Sequence, residues 1–125
     1  MFKKFEEIEA WKLARELARE IYQLTRTVDF SKDWGLKDQI QRAAVSIGSN
    51  IAEGFGRRGN KEFVKFLWIA KGSAAEVQSQ LYTVCDLSLI TKGQFDDLYN
   101  KANVIQVMIY RLIETLSRET ERRRV

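Results

Sequence analysis

Asp38 to Arg57 reads DQIQRAAVSIGSNIAEGFGR. Ile40, Ala43, Ile47 and Ile51 recur in it at steps of three and four, the spacing that gathers side chains onto one face of an α-helix. With Leu36 in front of them they predict an amphipathic helix over about 35–55. It should stop between Gly54 and Gly59, because glycine accepts the left-handed backbone of a helix end. The opposite face is polar: Arg42, Ser46, Asn50, Glu53 and Arg57 fall together there, and Asn50 and Glu53, three apart, are neighbours. Structural polar contacts, to solvent or to another helix or subunit, are the expected role of that face.

The flanking sequence repeats the pattern. On the N-terminal side Ala10, Ala14, Leu17, Ile21, Leu24 and Val28 predict a helix over about 6–28, with Glu6, Glu7 and Glu9 suiting the positive end of its dipole. The stretch DFSKDWG, Asp29 to Gly35, reads as a break. On the C-terminal side Asn60 is a good N-cap residue for a third helix over about 61–89, with Phe63, Phe66, Leu67, Ala70, Ala74, Val77, Leu81 and Val84 as its stripe. Thr91 and Gln94 have capping-box spacing ahead of a fourth helix over about 92–119. That helix carries Phe95, Leu98, Ala102, Ile105, Ile109, Leu112 and Leu116 before fraying into a charged tail. There is no proline to interrupt any of them. Four helices of similar length joined by short breaks predict an all-α fold, an antiparallel up-down-up-down four-helix bundle forming a single domain over 1–125.

Two further features concern partners. Val64, Trp68, Ala75 and Tyr82 lie about 120° from the main stripe of the third helix, and Val104, Val107 and Met108 lie outside that of the fourth. A monomer would expose them, so Val64, Trp68, Ala75 and Tyr82 are the candidate oligomer interface. The net charge of +4 is concentrated: residues 32–72 hold eight basic against four acidic side chains, and the segments on either side are balanced. A lone cysteine, Cys85, cannot form an internal disulfide, no apolar run follows Lys3 and Lys4, and no run has membrane-spanning length. The expected setting is the cytoplasm, without membrane contact.

The segment Asp38–Arg57, its continuation NKEFVKFLWIAKGSAAEVQSQL from Asn60 to Leu81, Trp11-Lys12-Leu13-Ala14 through Ile21-Tyr22, and Trp34-Gly35-Leu36 together resemble the four-helix-bundle family encoded in intervening sequences of bacterial 23S rRNA genes. The block RAAVSI-x-SNIAEG carries most of the likeness. Gly48 stands where the family commonly has proline, and Phe30-Ser31 where it has Phe-Pro. The resemblance implies an antiparallel bundle assembled as a ring, a homopentamer, with no known enzyme activity. It also implies a distant relation to the accessory protein of diversity-generating retroelements, a basic pentamer working with a reverse transcriptase and RNA.

Gly54-Phe55-Gly56-Arg57-Arg58-Gly59 matches G-x-G-x-x-G by letters, but dinucleotide binding needs a preceding strand, and a helix precedes it here. Arg57, Arg58, Lys61 and Lys65 are the candidate RNA- or DNA-binding residues, with Arg122 to Arg124 as a basic tail. Without histidine the chain has no Ser-His or Cys-His pair. Asp96-Asp97 suits the start of the fourth helix better than a metal, and Trp11, Trp34 and Trp68 suit packing better than base stacking. The expectation is a non-enzymatic assembly protein without cofactor or metal. The alternative is a protein-interaction scaffold that touches no nucleic acid.

Overall fold

Ile8 ends a short 3-10 turn, Phe5–Glu7, and leads into α1, Glu9–Leu24. A four-residue helix, α2 (Val28–Ser31), follows, then α3 (Trp34–Phe55), α4 (Gly59–Asp86) and α5 (Lys92–Arg124). The computed structural model describes residues 1–124; of the basic tail, the Arg124 side chain lies outside the described residues. No strand occurs among them. The four long helices pack antiparallel, α1 against α3, α3 against α4, α4 against α5, with α1 also meeting α5. The stripes predicted from spacing face inward: Ile40, Ile47, Ile51, Leu67, Ala70, Val77, Leu81, Ile105 and Ile109 are completely buried.

Several boundaries differ from the sequence reading, beginning with the first helix, which starts at Glu9 rather than near Glu6. The first helix, expected over 6–28, ends at Leu24. Thr25 is buried there, its hydroxyl donating to the Tyr22 carbonyl (2.9 Å) and accepting from Gln41 Nε2 (2.9 Å), and Thr27 then takes an extended backbone. Val28, expected in the α1 stripe, is consequently 71% exposed, while Phe30, expected in a break, is fully buried on α2. The third helix, expected over 61–89, ends at Asp86. Ser88 adopts a positive φ of 60°, the Leu89 N–H bonds the Val84 carbonyl (3.1 Å) and the Ser88 N–H that of Cys85 (2.9 Å), a Schellman end built on serine. The fourth, expected to fray after 119, continues to Arg124. At its last core turn Ile113 is buried and Leu112 only half-buried.

Two cap expectations resolve differently. The capping box at α5 forms in full, Thr91 N–H to Gln94 Oε1 (2.9 Å) and Gln94 N–H to Thr91 Oγ1 (3.1 Å). Asn60 does not cap α4; Gly59 already belongs to the helix, and Asn60 Nδ2 donates to Glu119 Oε2 on α5 (3.1 Å). The left-handed glycine of this connection is Gly59 (φ +81°) at the start of α4, whereas Gly56 at the end of α3 has φ −74°. At Gly48, where the resembling family commonly has proline, α3 continues without interruption.

Candidate functional site

A cluster of basic side chains lies where α3 turns into α4. Phe55 finishes α3, three residues turn the chain, and α4 starts without a side-chain cap on its first N–H groups. Arg57, Arg58, Lys61 and Lys65 are all exposed on this turn and the first turns of α4. They are not equivalent. Arg57 pairs with Glu53 (2.9 Å) and lies over the Phe66 ring (5.0 Å), and Lys65 stands 3.8 Å from Glu62. Arg58 and Lys61 make no ion pair among the described residues, so their charge, with the positive end of the α4 dipole, faces solvent. An exposed pair such as Arg57–Glu53 is held by only about 0.3–0.5 kcal/mol, so an incoming phosphate can compete for the guanidinium.

A cleft of about 220 Å³ opens at this same end. The chain start reaches it through Phe2, the α3–α4 turn through Phe55 and Arg57, α4 through Phe63, and α5 through Glu119 and Arg123. Sequence reasoning missed this convergence. It placed the C-terminal arginines on a frayed tail, and it gave Phe2 no role. Arg123 reaches the cleft because α5 stays helical past Leu116, where Thr120 Oγ1 donates to the Leu116 carbonyl (3.0 Å).

The candidate interface residues lie along the seam between α4 and α5. Val64 is half-buried and Ala75 exposed, whereas Trp68 (49% exposed) and Tyr82 (54%) lean onto α5 aromatics. Trp68 meets Tyr110 edge-on at 6.2 Å, and Tyr82 meets Phe95 at 4.8 Å and Tyr99 at 5.8 Å. Val107, one turn from Tyr110, and Val104 are also exposed, so an apolar strip remains open to solvent after the seam has closed; Met108 is half-buried.

Other groups have structural partners. Asn50 Nδ2 donates to the Ser46 carbonyl (2.8 Å) and hydroxyl (2.9 Å), and the Ser46 and Ser73 hydroxyls are 2.9 Å apart, tying α3 to α4. Lys101 bonds Glu20 on α1 and lies 3.2 Å from Asp97; the Glu20 carboxylate first, then Asp97, holds its ammonium above the ordinary 10.5. That clamp joins α1 to α5. Asp96 pairs with Lys92 (2.6 Å), Cys85 is half-buried, and no cluster of metal-ligating side chains occurs among the described residues. Trp11 packs against Phe5 at 4.9 Å, and exposed Trp34 lies under Lys37 at 4.3 Å. No described helix is long and apolar enough to cross a membrane.

Comparison with known proteins adds a lineage. A family model described as 23S rRNA-intervening sequence protein matches residues 6–111. A crystal structure from Bacteroides thetaiotaomicron, of a protein with unknown function from the S23 ribosomal protein family, is similar over 83% of this chain and 97% of its own, with a TM-score of 0.76 and 26% identity. No curated protein matches the chain.

Proposed function

The chain belongs to the 23S rRNA-intervening sequence protein family, and from that premise we propose that it is a non-enzymatic assembly protein that binds RNA or DNA through the charge of its α3–α4 end. The observation that carries this reading is the pair Arg58 and Lys61, exposed and in no ion pair among the described residues, beside the uncapped start of α4. Arg57 and Lys65 add charge that weak surface pairs release. No base-reading motif accompanies them, so recognition is of phosphate rather than of sequence.

Counterion release sets the test. Two to four phosphate contacts per protomer predict that affinity for structured RNA or duplex DNA falls roughly 10- to 150-fold between about 50 and 200 mM salt. Fluorescence anisotropy measures it. Replacing Arg57, Arg58, Lys61 and Lys65 together with alanine should flatten that slope, with Arg58→Ala and Lys61→Ala costing more than the other two. Affinity and slope that survive the fourfold variant would sink the reading. No binding at low salt would return the chain to the protein-scaffold alternative.

The assembly part of the proposal rests on the strip along the α4–α5 seam. A ring of copies, the homopentamer implied by the resemblance, would cover Trp68, Tyr82 and Val107, and would present several basic ends together, adding their affinities. Light scattering on the eluting protein should give several times the 14.6 kDa protomer mass, and Trp68→Glu should reduce it to the protomer. A wild-type protein that elutes as a monomer at micromolar concentration would refute the assembly.

A further inference from the structure

The cleft at the basic end has a lining that phosphate binding alone does not use. Its inner wall is aromatic: Phe55 and Phe63 stand edge to face at 6.0 Å, with Phe2 beside them. Phe63 is buried, Phe2 and Phe55 are half-buried, and all three line the cleft. Its rim is polar, with Arg57 and Arg123 on it, and with Asn60 and Glu119 joined by their 3.1 Å hydrogen bond.

We propose that this cleft takes one unpaired nucleobase of an RNA or DNA strand, with the adjoining phosphate on Arg57 and Arg123. The proposal deepens, and rests on, the nucleic-acid reading above. Three observations select a base over other occupants. The volume of about 220 Å³ is below the range of roughly 300–1,000 Å³ that suits drug-sized ligands, and leaves room for one flat ring system. Aromatic walls hold bases by stacking irrespective of sequence. The Glu119 carboxylate can accept from the amino group of a base edge, as Asn60 Oδ1 can, while the two guanidinium groups of Arg57 and Arg123 outweigh its charge and hold the phosphate. A neutral ring therefore goes in, and the charge stays at the rim. Paired bases in a duplex cannot enter, so the protein distinguishes a strand end or a bulged nucleotide from a blunt helix.

The test compares a blunt hairpin with the same hairpin carrying one unpaired 3′ adenosine, in RNA and in DNA, by anisotropy at one low salt concentration. One stacked base predicts that the overhang is bound about tenfold more tightly. Phe2 precedes every helix, so Phe2→Ala leaves the bundle able to fold, which circular dichroism checks. In that variant the ratio of the two affinities should fall towards one, whereas Lys65→Ala should weaken both hairpins and keep the ratio. Equal wild-type affinity for the two hairpins, with binding still salt-sensitive, would overturn the base site and leave the electrostatic reading standing. A ratio unchanged in Phe2→Ala would likewise overturn it. Absence of binding to either hairpin would remove both.

Discussion

Phe30→Ala is expected to destabilise the protein by about 3–5 kcal/mol, a large part of the roughly 5–15 kcal/mol that holds a domain of this kind folded. Phe30 is the largest of the completely buried side chains, and it sits on a helix of only four residues. Such a helix cannot stand on backbone propensity, because nucleation alone costs more than one turn returns. Local bonds give it shape: Ser31 N–H to the Thr27 carbonyl (2.9 Å), Ser31 Oγ to that of Val28 (2.9 Å), and Asp33 N–H to that of Phe30 (3.1 Å). Asp33 then caps α3 by accepting from the Leu36 N–H (3.1 Å). What fixes the segment to the bundle is the Phe30 ring in the core. Removing it leaves a cavity at a point where the chain between α1 and α3 has no other fully buried side chain after Thr25. Val28→Ala, two residues away on the exposed side, should change stability by less than about 0.5 kcal/mol. Urea unfolding followed by circular dichroism, at one protein concentration for all variants, separates the two. A loss below about 1 kcal/mol for Phe30→Ala would mean that the ring is not packed as described.

This pair also shows where sequence reading succeeds and where it stops. Spacing of three and four placed Ala10, Ala14, Leu17, Ile21 and Leu24 on the inner face, and each is buried. The same rule carried on to Val28 fails, because periodicity extrapolates a helix until something stops it. The stop here is the Thr25 hydroxyl, paired with the Tyr22 carbonyl on its own helix and with Gln41 on the next. That second contact spans sixteen residues, beyond any local pattern. The candidate site divides in the same way. Arg57, Arg58, Lys61 and Lys65 are neighbours in the chain, so their clustering was visible in the sequence. Which of them are paired is local too, since Glu53 stands four residues before Arg57 and Glu62 three before Lys65, spacings at which helical side chains meet. The aromatic cleft could not be read at all, because Phe2 and Arg123 come from opposite ends of the chain and meet only through the closure of the bundle.

Gly54→Ala is expected to destabilise the protein by about 1–3 kcal/mol, against the direction of helix propensity. Inside a helix alanine is favoured over glycine by about 1 kcal/mol, so a glycine in the last turns of α3 needs a reason. The reason is the approach of α4. A Cβ at Gly54 would lie 2.6 Å from the Phe66 Cβ, 3.1 Å from Phe63 Cδ1 and 3.3 Å from the Phe63 carbonyl oxygen. The nearest of these atoms is bonded directly to the α4 backbone and cannot swing aside, so the two helices must part. Gly72→Ala supplies the opposite case on α4 itself. Nothing lies within 4 Å of the added methyl, and the substitution should stabilise by up to about 1 kcal/mol. The two signs, read from urea midpoints, test whether packing or propensity decides each position. A stabilising Gly54→Ala would contradict the close crossing of α3 and α4. A destabilising Gly72→Ala would mean that another copy covers the outer face of α4 beside Trp68. The Gly54 variant has a second consequence, because the glycine lies one residue before Phe55 and three before Arg57. Forcing α3 and α4 apart displaces both the aromatic wall of the cleft and the guanidinium on its rim. The preference for an unpaired 3′ base should therefore decline in Gly54→Ala under conditions where the protein is still folded, and should persist in Gly72→Ala.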